Sequence, residues 1–373
     1  MPARRLALLA VAALAAAGCG AQPAAAPPPP LAGGVALLRS AVGRTLVIGG
    51  GGARALPAGS VAADGRRVFT ARASGGATVV RAVAVRSGRT LASRRLAGRW
   101  ALPATVASGV PDALSPNGTT LVLVDRNGAR SRVALLDVSL RERAQVVTLP
   151  ARFTYDAVDP EVGLLYLIED HGGGHYSVRA YDLLRGALRP GAIVDKREPG
   201  EAMAGLPTSR ATSDDGNWVY TLYRRADDVP FVHALDVGHG FALCLDLPPG
   251  TRSSPAAARE WGLVLAPSQR TLYAANPALG ALVELSAQDG VRRVARLPHG
   301  AIGASARPAV SPDATTLYVP TARGVAVVDT ATLRTRRTLL AGHRVTAVAV
   351  SGARLYAEDG AVVALDRRTG RVL

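Results

Sequence analysis

Ser311-Pro312-Asp313-Ala314-Thr315-Thr316-Leu317-Tyr318-Val319-Pro320-Thr321, followed closely by Val325-Ala326-Val327-Val328-Asp329, decides the fold. Pro then Asp is turn chemistry, because proline presets its own φ and a short carboxylate hydrogen-bonds the backbone just ahead of it. The apolar run after the turn is β-branched and aromatic, as a strand is. A second apolar run follows and ends in Asp. Turn, strand, short connection, strand ending in Asp is the grammar of one small antiparallel unit.

The same grammar recurs along the chain. The turn and the apolar pair after it appear as Ala63-Asp64-Gly65 before Val68-Phe69, Ser115-Pro116-Asn117-Gly118 before Leu121-Val122, and Asp159-Pro160-Glu161 before Leu165-Tyr166. They return as Ser213-Asp214-Asp215-Gly216 before Val219-Tyr220, Ala266-Pro267-Ser268 before Leu272-Tyr273, the Ser311 unit itself, and Ser351-Gly352 before Leu355-Tyr356. The pairs are separated by 53, 44, 54, 53, 45 and 38 residues. A third strand ends in Asp at Val133 to Asp137, Val178 to Asp182, Val232 to Asp236, Val325 to Asp329 and Val362 to Asp366. A repeat of about 40–50 residues with four short strands and no helix is a propeller blade. The expected fold is therefore all-β: a β-propeller of about seven four-stranded blades over residues 34–373.

At this point the chain resembles the YVTN-type seven-bladed β-propeller repeat proteins. Leu317-Tyr318-Val319 keeps the Tyr-Val of that family, with Pro320 where the family has Thr, and Tyr273-Ala274-Ala275-Asn276 keeps the final Asn. The resemblance covers residues 58–373 and implies architecture; such propellers include envelope binding modules, and related ones are enzymes. The final unit stops soon after Asp366, so the segment Val35 to Ile48 is expected to supply the strand that closes the last blade, with Gly49 to Gly52 as the hinge into the first.

Residues 1–18 read as a secretion signal: Arg4 and Arg5, then an apolar run of 12 residues from Leu6 to Ala17. That run is too short for a membrane-spanning helix, which needs about 20 residues. Ala16-Ala17-Gly18-Cys19 resembles a bacterial lipobox, with Ala16 where Leu is commonest, so Cys19 is the expected lipid attachment site. Residues 19–33 form a Pro/Ala-rich tether ending in four prolines, Pro27 to Pro30, which favour an extended polyproline II spacer. The protein is expected to be exported, lipid-anchored to the outer side of the cell membrane, and monomeric.

Composition fits this picture. Hydrophobic residues make up 48% and aromatics only 4%, so the core must be built from Val, Leu and Ala. The net charge is +16, almost all of it arginine, with Lys196 the lone lysine. The arginines are scattered rather than striped among aromatics, so nucleic acid is not an expected partner. Cys244, within Ala242-Leu243-Cys244-Leu245, reads as a small buried hydrophobe.

No motif gives a chemistry. His171-Gly172-Gly173-Gly174-His175 offers two imidazoles on a glycine-rich loop, making His171 and His175 weak metal candidates; a hairpin tip is the simpler reading, and no metal is expected. Asp214-Asp215-Gly216-Asn217 occupies the repeat's turn position and lacks the ligand spacing of a calcium loop. Gly49 to Gly52 lacks the Lys-Ser/Thr of a phosphate loop, and no Gly-x-Ser-x-Gly elbow occurs. No cofactor is expected.

The loops into each first strand, and those joining second and third strands, share one face of a propeller. Trp100, Arg152, Tyr155, Arg210, Trp261, Arg307, His343 and Arg344 form the candidate binding face there, since aromatics and arginines concentrate at binding surfaces. Asp112, Asp156, Arg210, Arg307 and Arg344, all at the starts of strands, could converge on the axis. The expected function is a cell-envelope lipoprotein whose propeller is a scaffold binding a small-molecule ligand or an envelope protein. The alternatives are a propeller enzyme, a lyase or hydrolase using the central channel, and a binder of anionic polymer. The binding module is favoured over the enzyme because no compact triad or cofactor fingerprint accompanies the face.

Overall fold

The computed structural model describes residues 36–39, 45–49, 52–125, 130–195, 203–225 and 229–373. The signal segment, Cys19 and the tether fall outside the described residues. The strands form eight antiparallel sheets arranged as a β-propeller. Blade 1 is Ala36–Arg39, Thr45–Gly49 and Gly52–Ala55; blade 2 is Ser60–Val61, Arg67–Ser74, Ala77–Ala84 and Thr90–Ala97. Blade 3 has Thr120–Asp125, Arg132–Asp137 and Gln145–Thr148, with its innermost position filled by the bridge Leu114–Leu121. Blade 4 is Thr154–Asp159, Leu164–Gly172, His175–Asp182 and Ala187–Leu188; blade 5 is Leu206–Thr212, Trp218–Arg224, Phe231–Asp236 and Phe241–Asp246. Blade 6 is Gly262–Leu265, Leu272–Asn276, Ala281–Ser286 and Gly290–Arg296; blade 7 is Ala309–Val310, Thr316–Thr321, Gly324–Asp329 and Thr335–Leu339. Blade 8 is Ala347–Ser351, Arg354–Asp359 and Ala361–Asp366.

Two expectations are corrected. The blades number eight rather than seven, and the segment expected to complete the last blade is a blade of its own. Leu38 pairs with Leu46, and Leu46 in turn with Ala55, so strand Thr45–Gly49 is hydrogen-bonded on both edges within one sheet. Blade 8 fills its rim from its own end, through the Leu365–Val372 bridge and the bond from Leu373 N to Ala364 O. The ring closes by packing. Leu38, Leu46 and Ile48 meet Ala347, Tyr356 and Val362 of blade 8, while Val47 on the opposite face meets Val68, Val83 and Val85 of blade 2. Blade 1 escapes the repeat count because Leu46-Val47 follows a segment without the Pro/Asp-Gly signature.

The repeat's polar residues build its turns. Ser213 Oγ lies 2.5 Å from Asp215 Oδ1 and accepts from Trp218 N at 2.9 Å, and Asp215 Oδ1 accepts from Asn217 N at 3.0 Å. Ser311, Asp313, Thr315 and Thr316 repeat the arrangement, and the Ser311 hydroxyl holds the Asp313 carboxyl down at about 2. The Asp ending each third strand also has a local job. Asp182, Asp236, Asp329 and Asp366 each accept from a backbone N–H two or three residues ahead, which starts the turn into the fourth strand.

The core lies between neighbouring blades. Trp261 is fully buried with Leu222, Val232, Leu247 and Leu272 at the interface of blades 5 and 6. Trp100 packs with Phe69, Leu121 and Leu136 between blades 2 and 3. With few aromatics in the chain, these large side chains fill wedges that Ala and Val leave open, where void would cost dispersion contacts. Among the described residues no helix is long and apolar enough to cross a membrane.

Candidate functional site

The first strands of blades 1, 5, 6, 7 and 8 line a central channel of about 700 Å³. Each runs from the face carrying the inter-blade loops to the face carrying the Ser/Asp turns. The wall contains Leu37, Leu263, Leu265, Ala309, Val310 and Ala349, with Ser209, Arg210 and Arg307 as its inner polar groups. Asp214, Pro267, Gln269 and Pro312 also line it, and all four belong to turns after the first strands, so the channel opens on the turn face. At that rim Gln269 Nε2 donates to Asp214 Oδ2 at 3.1 Å, and Asp214 N donates to Gln269 Oε1 at 2.8 Å.

The strands are locked to each other as well as within their blades. Ser60 Oγ accepts from Ala113 N at 3.1 Å, and Ser209 Oγ accepts from Leu263 N at 2.9 Å. Blades 6 and 7 approach so closely that a Cβ at Gly262 would sit 1.8 Å from Ala306 O; only glycine fits there.

Three consecutive blades contribute one charged cluster. Arg210 of blade 5 donates from Nη1 to Asp156 Oδ1 at 2.7 Å and from Nη2 to Asp156 O at 2.8 Å. Its Nε lies 3.2 Å from Asp112 Oδ2, as an ion pair rather than an aligned hydrogen bond. Asp112 Oδ2 also accepts from Thr105 Oγ1 at 3.0 Å. The Arg210 and Asp156 side chains are 9% and 6% exposed, whereas Asp112 is 39% exposed. Burial by itself would lower the guanidinium, but Asp156 and then Asp112 outweigh it and hold Arg210 above its ordinary value, so it stays charged.

The cluster continues outward across blade 5. Arg210 pairs with Thr221, Thr221 with His233, and His233 with Cys244, so the four side chains share the sheet face toward blade 4. His233 is buried, and burial pushes it down to about 4; its Nε2 has no hydrogen-bond partner among the described residues. Beside it Tyr176, Tyr223 and Phe231 form a stack with centroids 5.1 and 5.2 Å apart.

Of the expected binding face, Trp100, Tyr155 and Trp261 are buried, whereas Arg152 and Arg344 are exposed. Trp100 is buried, donates from Nε1 to Ala97 O at 2.8 Å, and carries the Arg132 guanidinium 4.9 Å above its ring. Trp261 is wholly buried, as is Tyr155, whose hydroxyl burial and then Asp112 push up. Arg344 donates to Ile302 O, and Glu260 accepts from Ile302 N at 2.9 Å and Gly303 N at 2.6 Å, so these residues brace one loop. His343 Nδ1 lies 2.6 Å from Asp359 Oδ2. Arg152 is exposed away from the channel wall. Across the loop face Ala107 N donates to Pro207 O at 2.8 Å, tying a blade 3 loop to blade 5 past blade 4.

Of the strand-start charges, Asp112, Asp156 and Arg210 converge, Arg210 and Arg307 line the channel, and Arg344 donates to Ile302 O instead. His171 and His175 sit exposed at a hairpin tip, with His171 Nε2 2.8 Å from Ser177 Oγ. Both border a separate recess of about 180 Å³ with Tyr176 and Met203. Among the described residues no group of three or more His, Cys, Asp or Glu side chains is placed to hold a metal. Sequence reasoning missed Glu260 and His233, whose roles depend on contacts without a local pattern, and the aliphatic channel wall.

No protein-family model matches the chain. No curated protein matches it either. Solved structures do. Dihydro-heme d1 dehydrogenase NirN, in complex with DHE, aligns with TM-score 0.55 at 14% identity, over 95% of this chain and 76% of that one. Apo AztD from Citrobacter koseri aligns with TM-score 0.55 at 13% identity, over 91% and 93%. BamB from Moraxella catarrhalis aligns with TM-score 0.44 at 16% identity, over 90% and 94%. At such identities the first two likenesses speak to the fold alone: this chain is a β-propeller.

Proposed function

We propose that the protein is a cell-envelope lipoprotein, built from a degenerate YVTN-like repeat, whose propeller binds a ligand in its central channel. The carrying observation is the channel itself: about 700 Å³, walled by first strands of five blades and open at the turn face. That volume lies in the range of about 300–1,000 Å³ common for small-molecule sites. A ligand there touches several blades at once, which suits affinity and selectivity. Binding is favoured over catalysis because Asp112 and Asp156 are committed to Arg210, and a carboxylate so paired is a poor general base. The signal segment and Cys19 support display on the outer side of the membrane, with residues 19–33 as a spacer.

Native mass spectrometry of the protein, released from its own envelope in mild detergent, tests this reading. A bound small molecule on the wild type that is missing from Ala349→Phe, which narrows the channel, is the expected result. An adduct present equally on both, or no adduct at all, would overturn it.

A further inference from the structure

The two faces of the propeller use their charges differently. On the loop face Arg99, Arg152, Arg259, Arg296 and Arg323 are exposed, and none of the five is in an ion pair among the described residues. They are spread around the ring, from the loop after blade 2 to the hairpin of blade 7. The described carboxylates of the same connections are committed inside the protein. Asp112 is paired with Arg210, Asp195 accepts from Cys244 N at 2.9 Å, and Glu260 accepts from Ile302 N and Gly303 N. At strand ends bordering this face Asp125 meets Arg132, Glu169 meets Arg179, and Asp246 meets Arg225. Segments 126–129, 196–202 and 226–228 of these connections, outside the described residues, add three basic and four acidic residues, which moves the balance by one charge. The turn face is mixed: Asp64, Glu142, Glu161, Asp214, Asp215 and Asp289 are exposed among its arginines.

The chain also enters the body on the loop face. Ala36 pairs with Ile48, beside the hairpin in which Gly49 pairs with Gly52. That hairpin joins the second and third strands of blade 1, which is a loop-face position. Ala36 stands 17 residues after Cys19, at most about 60 Å of extended chain at about 3.5 Å per residue. We infer that the loop face lies on the anionic headgroups of the membrane that holds Cys19, with the turn face and the channel mouth turned away. The orientation rests on the lipid-anchor part of the reading above; the attraction rests on the arginines. Each arginine gains when it comes within a screening length of an anionic bilayer, about 8 Å at physiological salt. Tethering raises the local concentration of that surface, so a face too weak to bind alone still sets the orientation of the anchored body. A turn face placed downward would press Asp64, Glu161 and Asp214 against like charge.

Vesicle co-sedimentation tests this on the mature chain carrying Cys19→Ala, so that no acyl chain contributes. The vesicles are equimolar phosphatidylglycerol and phosphatidylcholine, or phosphatidylcholine alone. The chain should bind the anionic vesicles at about 0.01 M salt, where the screening length is about 30 Å, and release them toward about 0.15 M. It should ignore the neutral ones. Two loop-face variants, one with Arg99→Gln, Arg152→Gln and Arg259→Gln and one with Arg296→Gln and Arg323→Gln, are made separately so that one misfolded chain does not stop the test. Each should weaken binding by about tenfold or more, with circular dichroism confirming the fold. A turn-face control with Arg66→Gln, Arg89→Gln and Arg270→Gln should change it less than about threefold. No binding to anionic vesicles, or an equal loss in the control, would overturn the inference. Binding to polyphosphate through the loop-face arginines, without binding to vesicles, would also overturn it and assign the face to an acidic polymer. None of these outcomes bears on the channel, and membrane fractionation of wild type against Cys19→Ala reads the anchor separately.

Discussion

Arg210 lies between two carboxylates from two other blades, and its removal strands them. Asp156 is then a buried charge without its partner, and breaking such a pair costs about 3–5 kcal/mol. Asp112 is partly solvated and adds less. Arg210→Met should therefore lower unfolding free energy in urea by about 3 kcal/mol, whereas Arg152→Met, at an exposed position, should change it by less than about 0.5 kcal/mol. His233 gives a pH signature. Its folded value near 4 lies below the unfolded value near 6.5, so the unfolded chain binds the extra proton between them. Its stabilising contribution is complete above about pH 6.5 and is lost as pH falls toward about 4, by on the order of 3 kcal/mol. Asp313, held near 2, loses its contribution only at lower pH, so the two windows separate. Urea titrations of wild type and His233→Leu at pH 7 and pH 4.5 should show a steep loss in the first and a flatter one in the second. Equal slopes would mean that His233 is not buried as described. Convergence of Asp112, Asp156 and Arg210 was foreseeable from their places at strand starts. The burial of Trp100 and Trp261 was not, because a loop-adjacent tryptophan reads alike whether it faces solvent or a neighbouring blade.

At the scale of elements, seven blades were legible because Ser/Asp turns and Leu-Tyr strands mark them. Blade 1 carries the period-two apolar pattern without the turn signature, so its strands read as a closing segment. Its role predicts two different truncations. Deleting residues 34–55 removes a whole blade and bares Ala347, Tyr356 and Val362 on one neighbour and Val68, Val83 and Val85 on the other. That deletion should abolish cooperative unfolding. Removing residues 370–373 takes away only the rim of blade 8, chiefly the two bonds of the Leu365–Val372 bridge, Asp366 N to Arg371 O and Leu373 N to Ala364 O. At about 1 kcal/mol per net hydrogen bond, the loss should be about 2 kcal/mol, with one sharp transition retained. A chain without residues 34–55 that still melted cooperatively near the wild-type midpoint would show that blade 1 is not part of the ring.

For the whole molecule, sequence pattern carried the class of fold and the lipid-anchor expectation, while the site needed three dimensions. The channel wall draws single residues from blades far apart in the chain, and no local motif announces them. The anchor has its own check: Cys19→Ala should move the protein from the membrane fraction to the soluble exported fraction, and an unchanged distribution would remove the tether from the account. The central claim is that ligands bind in the channel rather than on the loop face. Hydrogen–deuterium exchange of the mature protein, with and without saturating neutral N-phenyl-1-naphthylamine, addresses it most directly. The account predicts slowed exchange in peptides covering residues 262–269, 306–312 and 347–351, with peptides around residues 99–110, 171–175 and 341–346 unchanged. Protection confined to the latter set would place the site on the loop face and contradict the claim.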